Sequence, residues 1–96
     1  MIYENWKNKN GTGDRSCNCG SWEKHWINFS GEKWPDKCSV RGCTNKPTLG
    51  AHVIHSSVSG ERIVPMCDSC NKNTKPFNLK ASTAFADADT SKTCGK

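Results

Sequence analysis

The pattern of apolar and polar positions predicts one short helix in the first half of the chain. Trp22, Trp26 and Phe29 recur at i, i+4 and i+7, the spacing that places side chains on one face of an α-helix. Ser21 can cap the first turn of this helix, and Gly31 suits its end. We expect the aromatic stripe to pack on the core, since such spacing marks a core face more often than a base-stacking platform.

The second half of the chain predicts a β-hairpin followed by a short helix. Two β-prone segments, TLGAHVIH at 48–55 and ERIVPM at 61–66, are separated by the polar turn SSVSG, which favours a hairpin. The sequence CDSC that follows can open a helix, which should end by Lys75 because Pro76 comes next. Before the hairpin, CSVRGCTNKP predicts a tight loop, or knuckle, rather than regular structure.

Composition limits how far an apolar core can hold these elements together. The chain has 96 residues, of which 33% are hydrophobic, and a mean hydropathy of -0.78, so little apolar surface is available for burial. Residues 1–16 are polar and predict a flexible arm with Tyr3 and Trp6 as anchors, whereas 17–96 predict a single domain. A cross-link should supply part of the missing stability, and the seven cysteines are its candidates.

Two features favour metal thiolates over disulfides as that cross-link. The N-terminus has no apolar leader segment, and no stretch approaches the roughly 18 apolar residues of a membrane span, so we expect a soluble, cytoplasmic protein without a membrane partner. A reducing compartment disfavours disulfides, and an odd number of cysteines leaves one thiol unpaired in any full disulfide scheme.

Two cysteine pairs carry the clearest chemical signal. Cys38 and Cys43 are separated by four residues, and Cys67 and Cys70 by two. Zinc takes four tetrahedral ligands, and two short loops that each offer two thiolates meet that geometry, so these residues predict one structural zinc. Two such knuckles flanking a hairpin, the second opening a helix, resemble a treble-clef zinc finger. The expected fold is α+β, a zinc-stabilised ββα core at 38–76 with an added N-terminal helix.

The remaining cysteines can form a second site. Cys17, Cys19 and Cys94, with His25 or His52 as the fourth ligand, would make a Cys₃His zinc site and use every cysteine of the chain. The C-x-C spacing is less specific than C-x-x-C, so free thiols or a local disulfide are alternatives. The expected cofactor is therefore zinc, as one ion or two.

With these motifs in hand, the segment Cys38–Lys75 resembles the zinc-containing HNH endonucleases, whose core is a ββα metal finger. The resemblance implies that His52 is a general base and that Asn71 helps to hold a catalytic divalent metal. The chain departs from the family pattern at Ala51, where the family has a further metal ligand, and at Arg62, where it has an asparagine. Since a hard divalent cation needs several oxygen ligands, we expect nuclease activity to be absent or weak.

Charge indicates a class of partner. Lysine and arginine number 14 against 9 acidic residues, which gives a net charge of +5 and a pI of about 8.9. A basic balance in a small zinc domain favours contact with phosphate backbones, with little sequence selectivity, although it also suits a surface that only keeps the protein dissolved. The candidate contacts flank the cysteine pairs: Arg41, Lys46, Lys72 and Lys75.

Three functions compete on the sequence alone. The favoured one is a zinc-binding module that contacts DNA or RNA without catalysis, in which His52 is a zinc ligand or a hydrogen-bonded core histidine. The second is an HNH-like metal-dependent nuclease that uses His52 and Asn71. The third is a protein-interaction adaptor in which an exposed tryptophan is the anchor.

Overall fold

A single hairpin forms the centre of the fold. The structure is a computed structural model that describes residues 2–9, 11, 17–90 and 93. Its elements follow the order β1 (Lys7–Asn8), α1 (Trp22–Ser30), β2 (Leu49–His55), β3 (Val58–Met66), α2 (Asp68–Asn71) and β4 (Ala86–Asp87). The strands make one antiparallel sheet in the order β1-β2-β3-β4, so the α+β class predicted from the sequence is confirmed.

The central hairpin pairs β2 with β3 in antiparallel register, with one irregularity. Leu49 of β2 lies opposite Met66 of β3, and His52 lies opposite Ile63, with a bulge between Val53 and His55. Successive side chains of a strand point to opposite faces of the sheet. The sheet therefore offers each of its faces a different set of β2 and β3 side chains.

The two faces of the sheet bury separate cores. The knuckle core, on one face, contains these buried residues: Trp6, Cys38, Ala51, Val53, Val64, Met66, Cys67, Phe77 and Leu79. The helix core, on the other face, has Trp26, Ile63 and Ala86 at its centre, with Trp22 and Trp34 packed against them. Neither cluster is large, in keeping with the low hydrophobic content of the chain.

Helix α1 begins and ends where the sequence predicted. The hydroxyl of Ser21 accepts a hydrogen bond from the Lys24 N–H at 3.1 Å, and Gly31 takes a left-handed conformation with φ 73° at the other end. Its buried residues are His25 and Trp26, whereas Phe29 is 41% exposed. The buried side of α1 therefore includes His25, which contacts the Asp87 carbonyl, and leaves out Phe29 of the predicted stripe.

Part of the predicted flexible arm belongs to the fold. Trp6 is 1% exposed, exchanges backbone hydrogen bonds with Phe77, and stacks on Phe85 with ring centroids 5.0 Å apart. The side-chain amide of Asn8 donates to the Cys70 and Asn73 carbonyls at 2.8 and 2.9 Å. Trp6, one of the two anchors expected from the sequence, and the pairing of β1 with β2 thus hold this segment against the fold. Residues 10 and 12–16 lie outside the described residues.

Gly50 sets how closely α1 approaches the sheet. A Cβ atom at this position would lie 2.6 Å from the Trp22 carbonyl oxygen and 2.9 Å from a methyl carbon of Ile63. The first of these neighbours is backbone and cannot swing aside. The absence of a side chain here lets the helix rest on β2.

We expect Gly50→Ala to destabilise the fold by about 1–3 kcal/mol, the usual cost of overpacking a filled contact. For a chain of this size that lowers the midpoint of thermal unfolding by several degrees, roughly 4–8 °C for each kcal/mol. Thr48→Ala, at an exposed position just before β2, is the matched control and should change the midpoint little. Equal midpoints for the two variants, measured with zinc present, would contradict this packing.

Candidate metal centres

Four thiols converge at one end of the hairpin. The ligand atoms of Cys38, Cys43, Cys67 and Cys70 all lie within 4.8 Å of one another. This set, the first centre, joins a loop that precedes β2 to the turn that follows β3. It can hold a zinc ion, as the sequence predicted.

Local backbone geometry fixes each half of the first centre. In the knuckle, the Cys38 N–H donates to the Asn45 carbonyl at 2.8 Å and the Cys43 N–H to the Val40 carbonyl at 3.0 Å. Gly42, with φ 85°, supplies the left-handed residue that this turn needs. On the other side Cys67 precedes α2 directly, and its carbonyl accepts from the Asn71 N–H at 3.0 Å.

Sulfur separations fit tetrahedral zinc. The Cys43 and Cys67 Sγ atoms are 3.8 Å apart, and a tetrahedron with Zn–S bonds of about 2.3 Å has edges of about 3.8 Å. Outer contacts also support thiolates. The Cys67 N–H points at the Cys38 Sγ at 3.3 Å, and the Asn45 side-chain amide points at the Cys67 Sγ at 3.7 Å. Such donors orient metal ligands and stabilise their negative charge.

The surroundings of the thiols shift their pKa values in different directions. Burial raises the pKa of Cys38 and of Cys70, and in both cases the thiol of the neighbouring Cys67 raises it further, although backbone N–H groups that point at the Cys38 sulfur act in the opposite direction. At Cys67 burial also acts upward, but hydrogen bonds from the Cys70 N–H and thiol and from Asn45 outweigh it and lower the pKa to about 7. Cys67 is thus the thiol best prepared to meet a metal as thiolate.

A second group of ligands lies at the start of α1. Cys17, Cys19 and His25 place their ligand atoms within 4.8 Å of one another, and we call them the second centre. The His25 Nε2 lies 2.7 Å from the Asp87 carbonyl oxygen. When Nε2 donates its hydrogen there, Nδ1 carries the lone pair that a metal needs. The structure thus selects His25 for this group and does not include His52. Cys94 lies outside the described residues.

His52 and Asn71 do not meet in one site. The His52 side chain is 4% exposed, and its ring lies edge-on to Trp22 of α1, with centroids 4.3 Å apart. Asn71 ends α2, next to Cys70 of the first centre, which packs against the knuckle core on the other face of the sheet. Strand alternation points His52 away from that core, because Ala51 and Val53, its neighbours in β2, belong to the knuckle core against which Cys70 packs.

Basic residues near the first centre differ in their surroundings. The guanidinium of Arg41 pairs with the Glu4 carboxylate at 2.5 Å, and Lys72 pairs with Asp68 at 2.9 Å. Lys46 and Lys75 are exposed, and no ion pair to either occurs among the residues that the structure describes. Four basic residues were predicted to contact nucleic acid, and among the described residues Lys46 and Lys75 are the two of them without an acidic partner.

Other expected surface features are placed differently. Trp6 and Trp26 are buried, and Trp22 and Trp34 are only partly accessible, because all four fill the two cores or pack against them. A tryptophan anchor for a protein partner therefore lacks the exposure that it was expected to have.

No described helix is long and apolar enough to cross a membrane.

Sequence reasoning missed one residue beside the first centre. The Lys80 ammonium donates to the carbonyls of Cys38 and Cys43, at 2.7 Å each. Lys80 is 42 positions from Cys38 in the chain, and the sequence around it has no periodicity or motif that could have signalled this contact.

Comparison with known proteins identifies no relative. No family model, curated protein or solved structure matches the chain. The resemblance to HNH endonucleases therefore rests on the sequence motif alone, and function has to be argued from the geometry of the two centres.

At pH 7 we expect zinc binding at the first centre to release at least two protons. Burial holds the pKa values of Cys38 and Cys70 above their ordinary range, so both thiols carry protons that zinc must displace. Because protons compete with the metal, zinc affinity should rise with pH and fall on acidification. Calorimetric titration in buffers of different ionisation enthalpy measures the number.

The variant Cys70→Ser is the control for this measurement, because the first centre should not hold zinc without this ligand and its proton release should then be absent. Release of less than one proton per zinc from the wild-type protein would show that these thiols do not supply the ligands.

Proposed function

We propose that this protein is a two-zinc module that contacts the phosphate backbone of nucleic acid without cleaving it. The observation that carries the metal part is the convergence of Cys38, Cys43, Cys67 and Cys70 within 4.8 Å. Four cysteine ligands close a tetrahedral zinc site, which is typical of structural rather than catalytic zinc. The knuckle before the hairpin and the pair that opens α2 form a treble-clef-like arrangement around it.

The second centre becomes complete when Cys94 is its fourth ligand. His25 is bonded to the Asp87 carbonyl, so the chain after β4 starts beside this centre. Cys94 follows Asp87 by seven residues, and a segment of that length reaches at most roughly 25 Å. Closure by Cys94 would tie the C-terminal segment and α1 to the sheet.

We expect two zinc ions per chain in the purified protein and loss of the folded state when a strong chelator removes them, because the two small cores need the metal cross-links. Elemental analysis and circular dichroism measure both. Cys70→Ser should lose the first zinc and Cys94→Ser the second. Ser69→Ala, in the same turn as Cys70, is the control that should keep both. A chelated protein with an unchanged spectrum would refute the structural role.

Nucleic-acid contact is supported by charge. The chain carries a net charge of +5, and Lys46 and Lys75 extend from the two loops of the first centre into solvent. A rigid zinc knuckle holds such side chains at fixed separation, which favours binding to a regular row of phosphates. Arg41 and Lys72 can join them after giving up their exposed acidic partners, since exposed ion pairs are weak.

The absence of cleavage is supported by the surroundings of His52. A general base must reach a water molecule near a metal or another group that stabilises the developing charge. His52 is buried under Trp22, and Asn71 lies across the sheet from it. A structural role for His52 in the helix core suits this placement better.

We expect the zinc-loaded protein to bind labelled DNA and RNA oligonucleotides with an affinity that falls steeply with salt, measured by fluorescence anisotropy from about 50 to 200 mM NaCl. Lys46→Ala and Lys75→Ala should each weaken binding and reduce the salt slope by about 1. Lys24→Ala, an exposed lysine on α1, is the matched control and should change neither.

Absence of binding at 50 mM NaCl would refute the nucleic-acid part. A salt slope that is the same in both lysine variants as in the wild-type protein would also refute it.

The same mixtures, incubated with Mg²⁺ or Mn²⁺, report on cleavage. Metal-dependent cutting that disappears in a folded, zinc-loaded His52→Ala variant would replace this proposal with the nuclease.

A further inference from the structure

Lys80 is bound to the loop that carries half of the first centre. Its ammonium donates to the Cys38 and Cys43 carbonyls, each at 2.7 Å. Its backbone N–H donates to the Ser39 carbonyl at 2.9 Å. The preceding residue, Leu79, is fully buried and forms a β-bridge with Val40. Backbone and side chain thus hold the ammonium in one place behind the knuckle.

A half-buried ammonium in this position needs a negative charge. Carbonyl groups supply dipoles but no charge, and removing a cation from water is costly unless an opposite charge compensates it. The ion pairs between described residues join Arg41 to Glu4 and Lys72 to Asp68. Among the residues that the structure describes, no carboxylate therefore lies within ion-pair distance of Lys80.

The occupied first centre has the charge that Lys80 lacks. Four thiolates outweigh one zinc ion by two negative charges, so a zinc site with four cysteine ligands is a dianion. The two carbonyls that Lys80 holds belong to two of its four ligand residues. A dianion enclosed by protein is itself destabilised unless cations or hydrogen-bond donors lie near it.

We infer that Lys80 is the counter-charge of the first centre, a positioning residue that stabilises the zinc-bound thiolates through the backbone of Cys38 and Cys43. Each partner then offsets the cost of burying the other. The inference rests on the zinc centre proposed above. On this inference, tight zinc binding at the first centre requires a fixed positive charge behind the knuckle in addition to the four cysteine ligands.

An alternative use of Lys80 lies in the neighbouring cavity. A cavity of about 290 Å³ lies beside the knuckle, and the charged residues that line it are three lysines and one acid: Lys33, Lys37, Lys80 and Glu32. Lys80 could bind an anion there. The two short contacts to ligand carbonyls favour the metal centre, because they use two of the three donors of the ammonium.

The test compares three variants with the wild-type protein. Lys80→Met keeps the length of the side chain and removes its charge, and Lys80→Arg keeps the charge. Lys75→Met, at an exposed lysine that follows the other cysteine pair, is the matched control. Zinc dissociation constants are measured by competition with a chromophoric chelator, after circular dichroism has shown that every zinc-saturated variant is folded.

We expect Lys80→Met to weaken zinc binding about 10–100-fold, the usual range for a lost outer-shell partner of a metal ligand. Without the positive charge the thiolates become more basic, so zinc should be released at a higher pH and iodoacetamide should alkylate the zinc-loaded protein faster. Lys80→Arg should recover part of each change, and Lys75→Met should match the wild type.

A zinc affinity of Lys80→Met within twofold of wild type overturns the inference and leaves the zinc centre intact. The inference is also overturned if Lys80→Arg loses as much zinc affinity as Lys80→Met and neither variant changes the pH of zinc release or the rate of alkylation. The loss would then come from altered packing and not from the missing charge. A wild-type protein that binds no zinc would remove the centre and the inference together.

Discussion

The first thiol centre is the contact on which the rest of the structure depends. Cys38, Cys43, Cys67 and Cys70 lie on both sides of the hairpin in sequence, and their ligand atoms meet within 4.8 Å. Two of them, Cys38 and Cys67, are also buried members of the knuckle core. In a chain with 33% hydrophobic residues, a metal bound at this point would join segments that apolar contacts alone would hold weakly. The N-terminal segment depends on it too, because Asn8 bonds to the Cys70 carbonyl.

The sheet divides the protein into two halves, each with a group of side chains that can hold a metal ion. One face carries the knuckle core and the first centre, and the other carries α1, the helix core and the second centre. Strand alternation distributes the hairpin residues between them, so neighbouring positions such as Ala51 and His52 take part in different halves. This division explains why a motif that is continuous in sequence, from His52 to Asn71, does not form a continuous site. It also places one candidate metal group beside each small core.

Electrostatics distinguishes the interior of the protein from its surface. Around the first centre the donors point inward, from the Cys67 N–H, the Asn45 amide and the Lys80 ammonium, as a site of concentrated negative charge requires. On the surface the lysines of the same loops face solvent. Under the proposed function, a zinc centre that is negative inside would keep the loops rigid, while the lysines outside would attract phosphates over distances near the Debye length.

The sequence by itself determined the local elements and the ligand chemistry. The cap at Ser21, the stop at Gly31, the hairpin around residues 56–60 and the two cysteine pairs all follow from nearest-neighbour patterns, and the structure agrees with each. Such features depend on residues a few positions apart, which hydrogen bonding and periodicity relate directly.

Only the tertiary structure decided which distant residues meet. It docked Trp6 in the knuckle core, selected His25 rather than His52 for the second centre, and brought Lys80 to the carbonyls of Cys38 and Cys43. Two-residue strands such as β1 and β4 are too short to leave a periodic pattern. These contacts form because the sheet and the cysteine clusters bring the segments together, and a single sequence holds no local record of that packing.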